Sequence, residues 1–144
     1  MNLQLLLVED NPGDVRLFEE CLREEYAGVT VHAVPDSIQA LHYLERRGLY
    51  HNACRPDLIV LDLNLPCHGS LHLITTVKAH PHWAAIPLVV LTTSSAAHEV
   101  RAAYQAHANA FMVKPSSLTD FTTSVRSFAR FWLMTATLPS EISP

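Results

Sequence analysis

The sequence lacks the features that tie small proteins to membranes, nucleic acids or oxidising compartments. No apolar run approaches the roughly 20 residues of a membrane span, so no membrane contact is expected. The 10 Lys and Arg residues are outnumbered by 14 acidic ones, for a net charge of −4, which argues against a basic nucleic-acid surface. The three cysteines are an odd number without CxxC spacing, and no signal peptide is evident. This combination predicts reduced thiols and a cytoplasmic protein.

Length and composition fit one globular domain. The chain has 144 residues, of which 49% are hydrophobic and 17% charged. A chain of this size buries enough surface to need no disulfide or structural metal. We therefore predict a single domain over residues 1–144, with a C-terminal helix and tail extension at about 130–144.

Strand-like and helix-like patterns alternate along the chain. Short apolar runs, which are typical of strands buried on both faces, are separated by apolar residues at helical spacing. The predicted strands are Leu3 to Val8, Val29 to Val34, Leu58 to Leu61, Leu88 to Leu91 and Ala110 to Val113. Alternation of this kind demands right-handed crossovers. The expected fold is α/β, a five-stranded parallel sheet of the doubly wound, flavodoxin-like (β/α)5 type with strand order 2-1-3-4-5.

Polar side chains stand where several of these strands end. Glu9 and Asp10 follow the first strand, Asp62 the third, Thr92 the fourth and Lys114 the fifth. In an open parallel sheet, ligands bind beyond the carboxyl ends of the strands, where the strand order reverses. The sequence therefore predicts that three carboxylates, a hydroxyl and an ammonium meet at one edge.

This ordered set, with a Lys114–Pro115 step, resembles the receiver domain of two-component response regulators over essentially the whole chain. The VEDNPGD and LTTSS stretches and the late FWL and TLP segments are most similar to single-domain regulators paired with phytochrome-type photoreceptor kinases. The loop Cys67-His68-Gly69 departs from the family, because it looks one residue shorter and lacks the usual Lys-Met-Asp-Gly-like sequence.

The clustered carboxylates predict a metal site. Three carboxylates close together repel one another unless a hard divalent cation lies among them. Mg²⁺ is the expected ion, with Mn²⁺ as an alternative, and Asp10 and Asp62 are the expected direct ligands. The resemblance implies that the Asn64 backbone carbonyl is a third ligand and that Glu9 acts through water.

The remaining roles concern phosphoryl transfer. A carboxylate that attacks phosphorus forms an aspartyl phosphate, and Asp62 is the candidate acceptor. Lys114 is expected to place its charge near one phosphoryl oxygen, and the Thr92 hydroxyl to bond another. The resemblance implies a cis Lys114–Pro115 bond and a switch in which Thr92 and then the aromatic Phe111 move.

The expected partners are a sensor histidine kinase of the phytochrome type and a second copy of the chain. No effector domain follows in the sequence, so output is expected through a partner or through self-association. Phe131, Leu133 and Met134, near the end of the last helix, are expected to form a homodimer because few residues remain to cover them. The alternative is that the tail folds back over its own domain and buries them. No direct contact with nucleic acid or membrane is expected.

Simpler interpretations exist for each residue. Glu9 and Asp10 can cap a helix, Asp62 can belong to a turn, and Lys114 can form a surface ion pair. Thr92 can cap the next helix, and Phe111 can be a core residue of its strand and nothing more. Two other classes share parts of the pattern: a flavodoxin-like electron carrier, whose flavin phosphate the carboxylates would repel, and an Asp-dependent phosphohydrolase, which needs a DxD arrangement that the first strand lacks. Activity as an enzyme on external substrates is not expected.

Overall fold

The computed structural model describes residues 2–63 and 69–141, in which five parallel strands alternate with helices. The strands are β1 Leu3–Val8, β2 Val29–Val34, β3 Leu58–Leu61, β4 Leu88–Thr92 and β5 Ala110–Val113. The helices are α1 Pro12–Glu25, α2 Ser37–Leu44, α3 Ser70–Ala79, α4 Ala97–Gln105 and α5 Leu118–Ala129. The strand order is β2-β1-β3-β4-β5, which confirms the predicted topology.

The central strands are buried because helices cover both faces of the sheet. Every residue of β3 and β4 is buried, whereas the edge strand β5 is only partly covered. One apolar cluster lies between the sheet and the α1/α5 pair, where the rings of Phe18 and Phe128 meet edge to face at 5.8 Å. The other lies on the opposite face and includes Leu73, Ile74 and Leu88. Burial on both faces explains the unbroken apolar runs in the sequence.

Side chains cap the starts of three helices. Asn11 accepts hydrogen bonds from the amides of Gly13 and Asp14, and Asp36 and Ser117 cap α2 and α5 in the same way. These caps fix where the loops at the carboxyl edge of the sheet turn into helices. Within the described segments, no helix is long and apolar enough to cross a membrane.

The C-terminal segment is only partly as predicted. Helix α5 continues into a π-helical turn, Arg130–Thr135, in which Leu133 is only 6% exposed and packs in the core beside Leu138. The expectation that Leu133 contributes to an exposed dimer surface is therefore wrong, because the tail folds back onto its own domain. Phe131 and Met134 are 51% and 56% exposed.

The Lys114–Pro115 bond also differs from the prediction. All described peptide bonds are trans, so the cis bond implied by the resemblance is not present. A trans X-Pro bond is favoured by about 0.5–1 kcal/mol, and no geometric need opposes it here, because Lys114 reaches the carboxylates from the trans backbone.

Candidate functional site

Three carboxylates meet at the carboxyl edge of the sheet. The backbone ladder extends one residue past each strand, since the Glu9 amide donates to Val34 at 3.0 Å and the Asp62 amide to Val8 at 3.1 Å. One carboxylate oxygen each from Glu9, Asp10 and Asp62 lies within 4.8 Å of the others. Glu9 and Asp62 are buried, whereas Asp10 is exposed. The predicted juxtaposition of the three acids is therefore present.

Lys114 joins these acids from the end of β5. Its amide donates to the Thr92 carbonyl at 2.6 Å, which fixes the backbone beside β4. Its Nζ donates to Asp62 Oδ2 at 3.1 Å, to Asp14 Oδ2 at 3.5 Å and to Glu9 Oε1. The Lys114 side chain is only 9% exposed. We call Glu9, Asp10, Asp62 and Lys114 the acidic rim.

The charges of the acidic rim alter its proton affinities. Burial raises the pKa of Glu9 from its ordinary 4.5 to about 7, against the opposing effect of the Lys114 hydrogen bond. Burial alone would lower the pKa of Lys114. The hydrogen bonds and negative charges of Glu9 and Asp62 outweigh that effect and raise it. Glu9 and Lys114 therefore both hold their protons more tightly in the folded chain than in water.

The donor set of the rim suits a hard divalent cation. Among the described residues it offers carboxylate oxygens, which Mg²⁺ and Mn²⁺ accept, and Asp10 is exposed to the water that such ions retain. Glu9, Asp10 and Asp62 are the described residues that could hold such an ion. Asn64, the remaining predicted ligand, lies outside the described residues, as do Cys67 and His68 of the unusual loop.

Two spaces of different size border the described residues of the rim. A cavity of about 10 Å³, about the size of one water, lies beside Glu9, Asp62 and Lys114. A wider groove of about 440 Å³ runs beside Glu9 and Asp10, and its other charged lining residues are Arg16 and Glu19. Asp10 therefore borders open space, whereas Asp62 and Lys114 border a water-sized cavity.

Thr92 and Phe111 occupy the ends of the predicted switch. Thr92 is fully buried at the end of β4, where its Oγ1 lies 3.5 Å from the Ser94 amide. Phe111 is partly buried on β5, and its amide donates to the Tyr104 hydroxyl of α4 at 3.1 Å. The backbone of Phe111 is therefore joined to α4 by a hydrogen bond, and the switch itself stays a prediction.

Two residues of the site were not predicted from the sequence. Asp14 lies in the first turn of α1 and contacts Lys114, and its spacing of four residues from Asp10 was the available signal. Ser70, at the start of α3, lies with its hydroxyl 3.2 Å from the Asp62 carbonyl and so helps to fix the end of β3. A lone serine after a loop gives no such signal in sequence.

Comparison with known proteins was consistent with this arrangement. A family model described as the response regulator receiver domain matches residues 5–126. Response regulator Rcp1 of Synechocystis sp. is 38% identical over 136 residues, which cover 94% of this chain and 92% of Rcp1.

Solved structures gave the same result. The phosphorylated cyanobacterial phytochrome response regulator RcpA has a TM-score of 0.91 and 39% identity, covering 96% of this chain and 99% of RcpA. The Mn²⁺-bound form of Rcp1 has a TM-score of 0.90 and 38% identity, covering 95% of this chain and 99% of that one.

Proposed function

Because the chain belongs to the response regulator receiver domain family, whose members are phosphoacceptor signalling modules, we propose that it accepts a phosphoryl group on Asp62 from a sensor histidine kinase. The observation that supports this most is the acidic rim, in which Asp62 lies 3.1 Å from the Lys114 ammonium and beside two further carboxylates. A surface ion pair or a helix cap would not bring these groups from three strands to one point.

In the proposed reaction, a carboxylate oxygen of Asp62 attacks the phosphorus of a phosphohistidine. The new O–P bond forms as the P–N bond breaks, and the electron pair stays on the imidazole nitrogen. Lys114 already bonds Oδ2 of Asp62, so it orients the carboxylate and is close enough to donate to an incoming phosphoryl oxygen. Thr92 is the hydroxyl proposed to bond another phosphoryl oxygen.

We propose Mg²⁺ as the resident ion, with Asp10 and Asp62 as ligands and Glu9 acting through water. Receiver domains bind divalent metals at an acidic pocket, and the three carboxylates within 4.8 Å support that assignment here, as does the likeness to Mn²⁺-bound Rcp1. When bound, the ion supplies positive charge that offsets repulsion between Asp62 and the phosphoryl oxygens. Asn64 stays a predicted ligand.

Intact-mass measurement tests the acceptor. The chain is incubated with a small phosphodonor and Mg²⁺, and we expect one phosphoryl group on the wild type and none on Asp62→Asn. Asp120→Asn, an exposed position on α5, is the matched control and should be phosphorylated like the wild type. Equal phosphate uptake by wild type and Asp62→Asn would contradict the assignment.

We further propose that the kinase is of the phytochrome type, since receiver-domain regulators of phytochrome systems pair with sensor histidine kinases and RcpA is similar over nearly the whole chain. Phosphotransfer from a purified phytochrome-type kinase should be faster than from an unrelated histidine kinase. Phosphorylation would then act through Thr92 and Phe111, without direct contact with nucleic acid. The cytoplasmic location and the single domain over 1–144 stay predictions.

The homodimer is now proposed on a smaller surface. Phe131 and Met134 are exposed on the π-helical turn, and Phe131 packs edge to face on Trp132 at 5.0 Å, which gives a rigid apolar projection. Light scattering should show a dimer that Phe131→Glu weakens, whereas Leu49→Glu, at an equally apolar exposed position on another face, should not. A monomer at high concentration, phosphorylated or not, would reject the dimer.

A further inference from the structure

A second cavity, far from the acidic rim, lies at the amino edge of the sheet. It has a volume of about 170 Å³ and is bounded by the end of α2, the segment before β3 and the turn after α3. Two arginines, Arg46 and Arg55, line it together with Tyr43, His82 and Trp83. None of its lining residues is acidic. We call it the amino-edge cavity.

Arg46 has a backbone conformation that usually belongs to glycine. It follows the end of α2 with φ of 56°, in the left-handed region where a side chain costs energy. Two residues later the chain adopts nearly the same φ, 58°, and uses Gly48. Arg46 therefore places a long cationic side chain beside the cavity at a position where glycine would be less strained.

Arg55 is held in place on the other wall. Its Nε and Nη2 donate to the His82 carbonyl at 3.3 and 3.1 Å, which fixes the plane of the guanidinium. Among the residues that the structure describes, neither Arg46 nor Arg55 has a carboxylate within ion-pair distance, whereas the neighbouring Arg47 pairs with Glu45 at 3.7 Å. The cavity therefore presents two cationic forks without an anion to match them.

The rest of the lining is aromatic. Trp83 is stacked on His80 with ring centroids 3.6 Å apart and an interplanar angle of 10°, so its indole is held rigidly. Tyr43 is 5% exposed, and its buried hydroxyl has no hydrogen-bond partner in the described segments. Buried hydroxyls are normally bonded, so a ligand oxygen that reaches this wall would satisfy it.

We propose that the amino-edge cavity binds a small organic anion, a carboxylate or phosphate monoester with a flat apolar body. The guanidiniums of Arg46 and Arg55 bind the oxygens, since their planar forks match such groups. The body of the ligand lies against Trp83 and Tyr43. Binding here is independent of phosphorylation at Asp62, which lies at the opposite edge of the sheet.

Nuclear magnetic resonance of the indole N–H groups tests this proposal on the full chain. The probes are benzoate and phenyl phosphate, with inorganic phosphate and acetate as ions that lack the flat body. The chain has two tryptophans, and Trp132, in the C-terminal turn, is the internal reference for Trp83. We expect a saturable shift of the Trp83 signal with a millimolar or tighter Kd and a constant Trp132 signal.

Matched variants separate the cavity from general charge. Arg46→Gln and Arg55→Gln should each weaken binding by about tenfold, because each removes one charge-assisted contact. Arg47→Gln removes the same charge next to the cavity but not from its lining, and it should bind like the wild type. Tighter binding of benzoate would identify a carboxylate ligand, and tighter binding of phenyl phosphate a phosphate ester. A shift that does not saturate, or an equal loss in Arg47→Gln, would overturn the proposal.

Discussion

Two partly buried lysines lie at opposite edges of the sheet, and they differ in their hydrogen-bond partners and in the direction of their pKa shifts. Lys114, at the carboxyl edge, donates to the carboxylates of Glu9, Asp14 and Asp62, and their charges raise its pKa above the ordinary 10.5. Lys78, at the amino edge, donates to the carbonyls of Ala84 and Ile86 at 3.1 and 2.8 Å, and burial lowers its pKa.

The difference lies in the partners. Neutral carbonyls satisfy the hydrogen-bond donors of Lys78 without offsetting the cost of taking its charge out of water, whereas carboxylates offset that cost for Lys114. Ion pairs between Lys114 and the carboxylates therefore stabilise the carboxyl edge. At the amino edge, the described partners of Lys78 are carbonyls, so no carboxylate offsets its charge. Four predictions test this contrast.

The largest effect is expected from Lys114→Met in the absence of divalent ions. Removing the ammonium leaves Glu9 and Asp62 buried against each other without a counter-charge, and breaking a buried pair in this way costs about 3–5 kcal/mol. Because Glu9 can take up a proton, we expect the lower end, about 3 kcal/mol, in the free energy of unfolding measured with urea. Lys78→Met is the control and should cost less, about 1–2 kcal/mol, because it leaves two carbonyls without a donor but no charge without a partner. If both variants lose the same free energy of unfolding, the proposed difference between the two edges is wrong.

The second effect is stabilisation by a divalent cation. At a concentration about 100 times Kd, Mg²⁺ should add about 2.7 kcal/mol to the stability of the wild type, measured by thermal unfolding against NaCl of matched ionic strength. Asp10→Asn should lose most of this gain, because Asp10 belongs to the carboxylate cluster.

Asp14→Asn provides the control for the cation. Asp14 contacts Lys114 at 3.5 Å but is not part of the cluster of three carboxylates, so this variant should keep the Mg²⁺ response. If both variants respond alike, the ion does not bind at the acidic rim.

Much of this arrangement was predictable because it depends on backbone topology. Parallel strands bring their carboxyl ends to one edge, so the residues after β1, β3 and β5 had to meet once the strands were recognised. The strand assignments followed from apolar runs, and the helices between them from apolar residues at helical spacing. These patterns involve residues close together in the chain, so they can be recognised in a single sequence.

The features that the sequence did not predict depend on tertiary packing. Whether Leu133 faces the core or solvent depends on a π-helical turn that shifts the helical period by one residue, and the 3.6-residue pattern does not show it. The Lys114–Pro115 bond was expected to be cis only because of the resemblance to the family, and the structure has it trans. The amino-edge cavity joins three segments that are distant in sequence, so no motif reports it.

The third prediction concerns backbone strain at the amino edge. Arg46→Gly should raise the free energy of unfolding by about 0.5–1 kcal/mol, because glycine adopts a positive φ without a steric penalty. Gly48→Ala, at nearly the same φ, should lower it by a similar amount, even though no atom lies within 4 Å of the added Cβ. Urea unfolding measures both. A loss of stability in Arg46→Gly would mean that the Arg46 side chain stabilises the fold itself.

The smallest expected effect is the pH dependence contributed by Lys78. Because burial lowers its pKa in the folded state, the unfolded chain binds more protons in the window just below 10.5, and stability from this group rises with pH across that window. The wild type should therefore gain stability relative to Lys78→Met as the pH approaches 10.5. Lys114 has the opposite sign: its pKa is raised, so its contribution is complete below 10.5 and is lost only as the pH rises further. Urea unfolding of the wild type and both Met variants at several alkaline pH values, without divalent ions, compares the two slopes. If the two differences from the wild type change in the same direction, carbonyl and carboxylate partners act alike, and the contrast between the two edges fails.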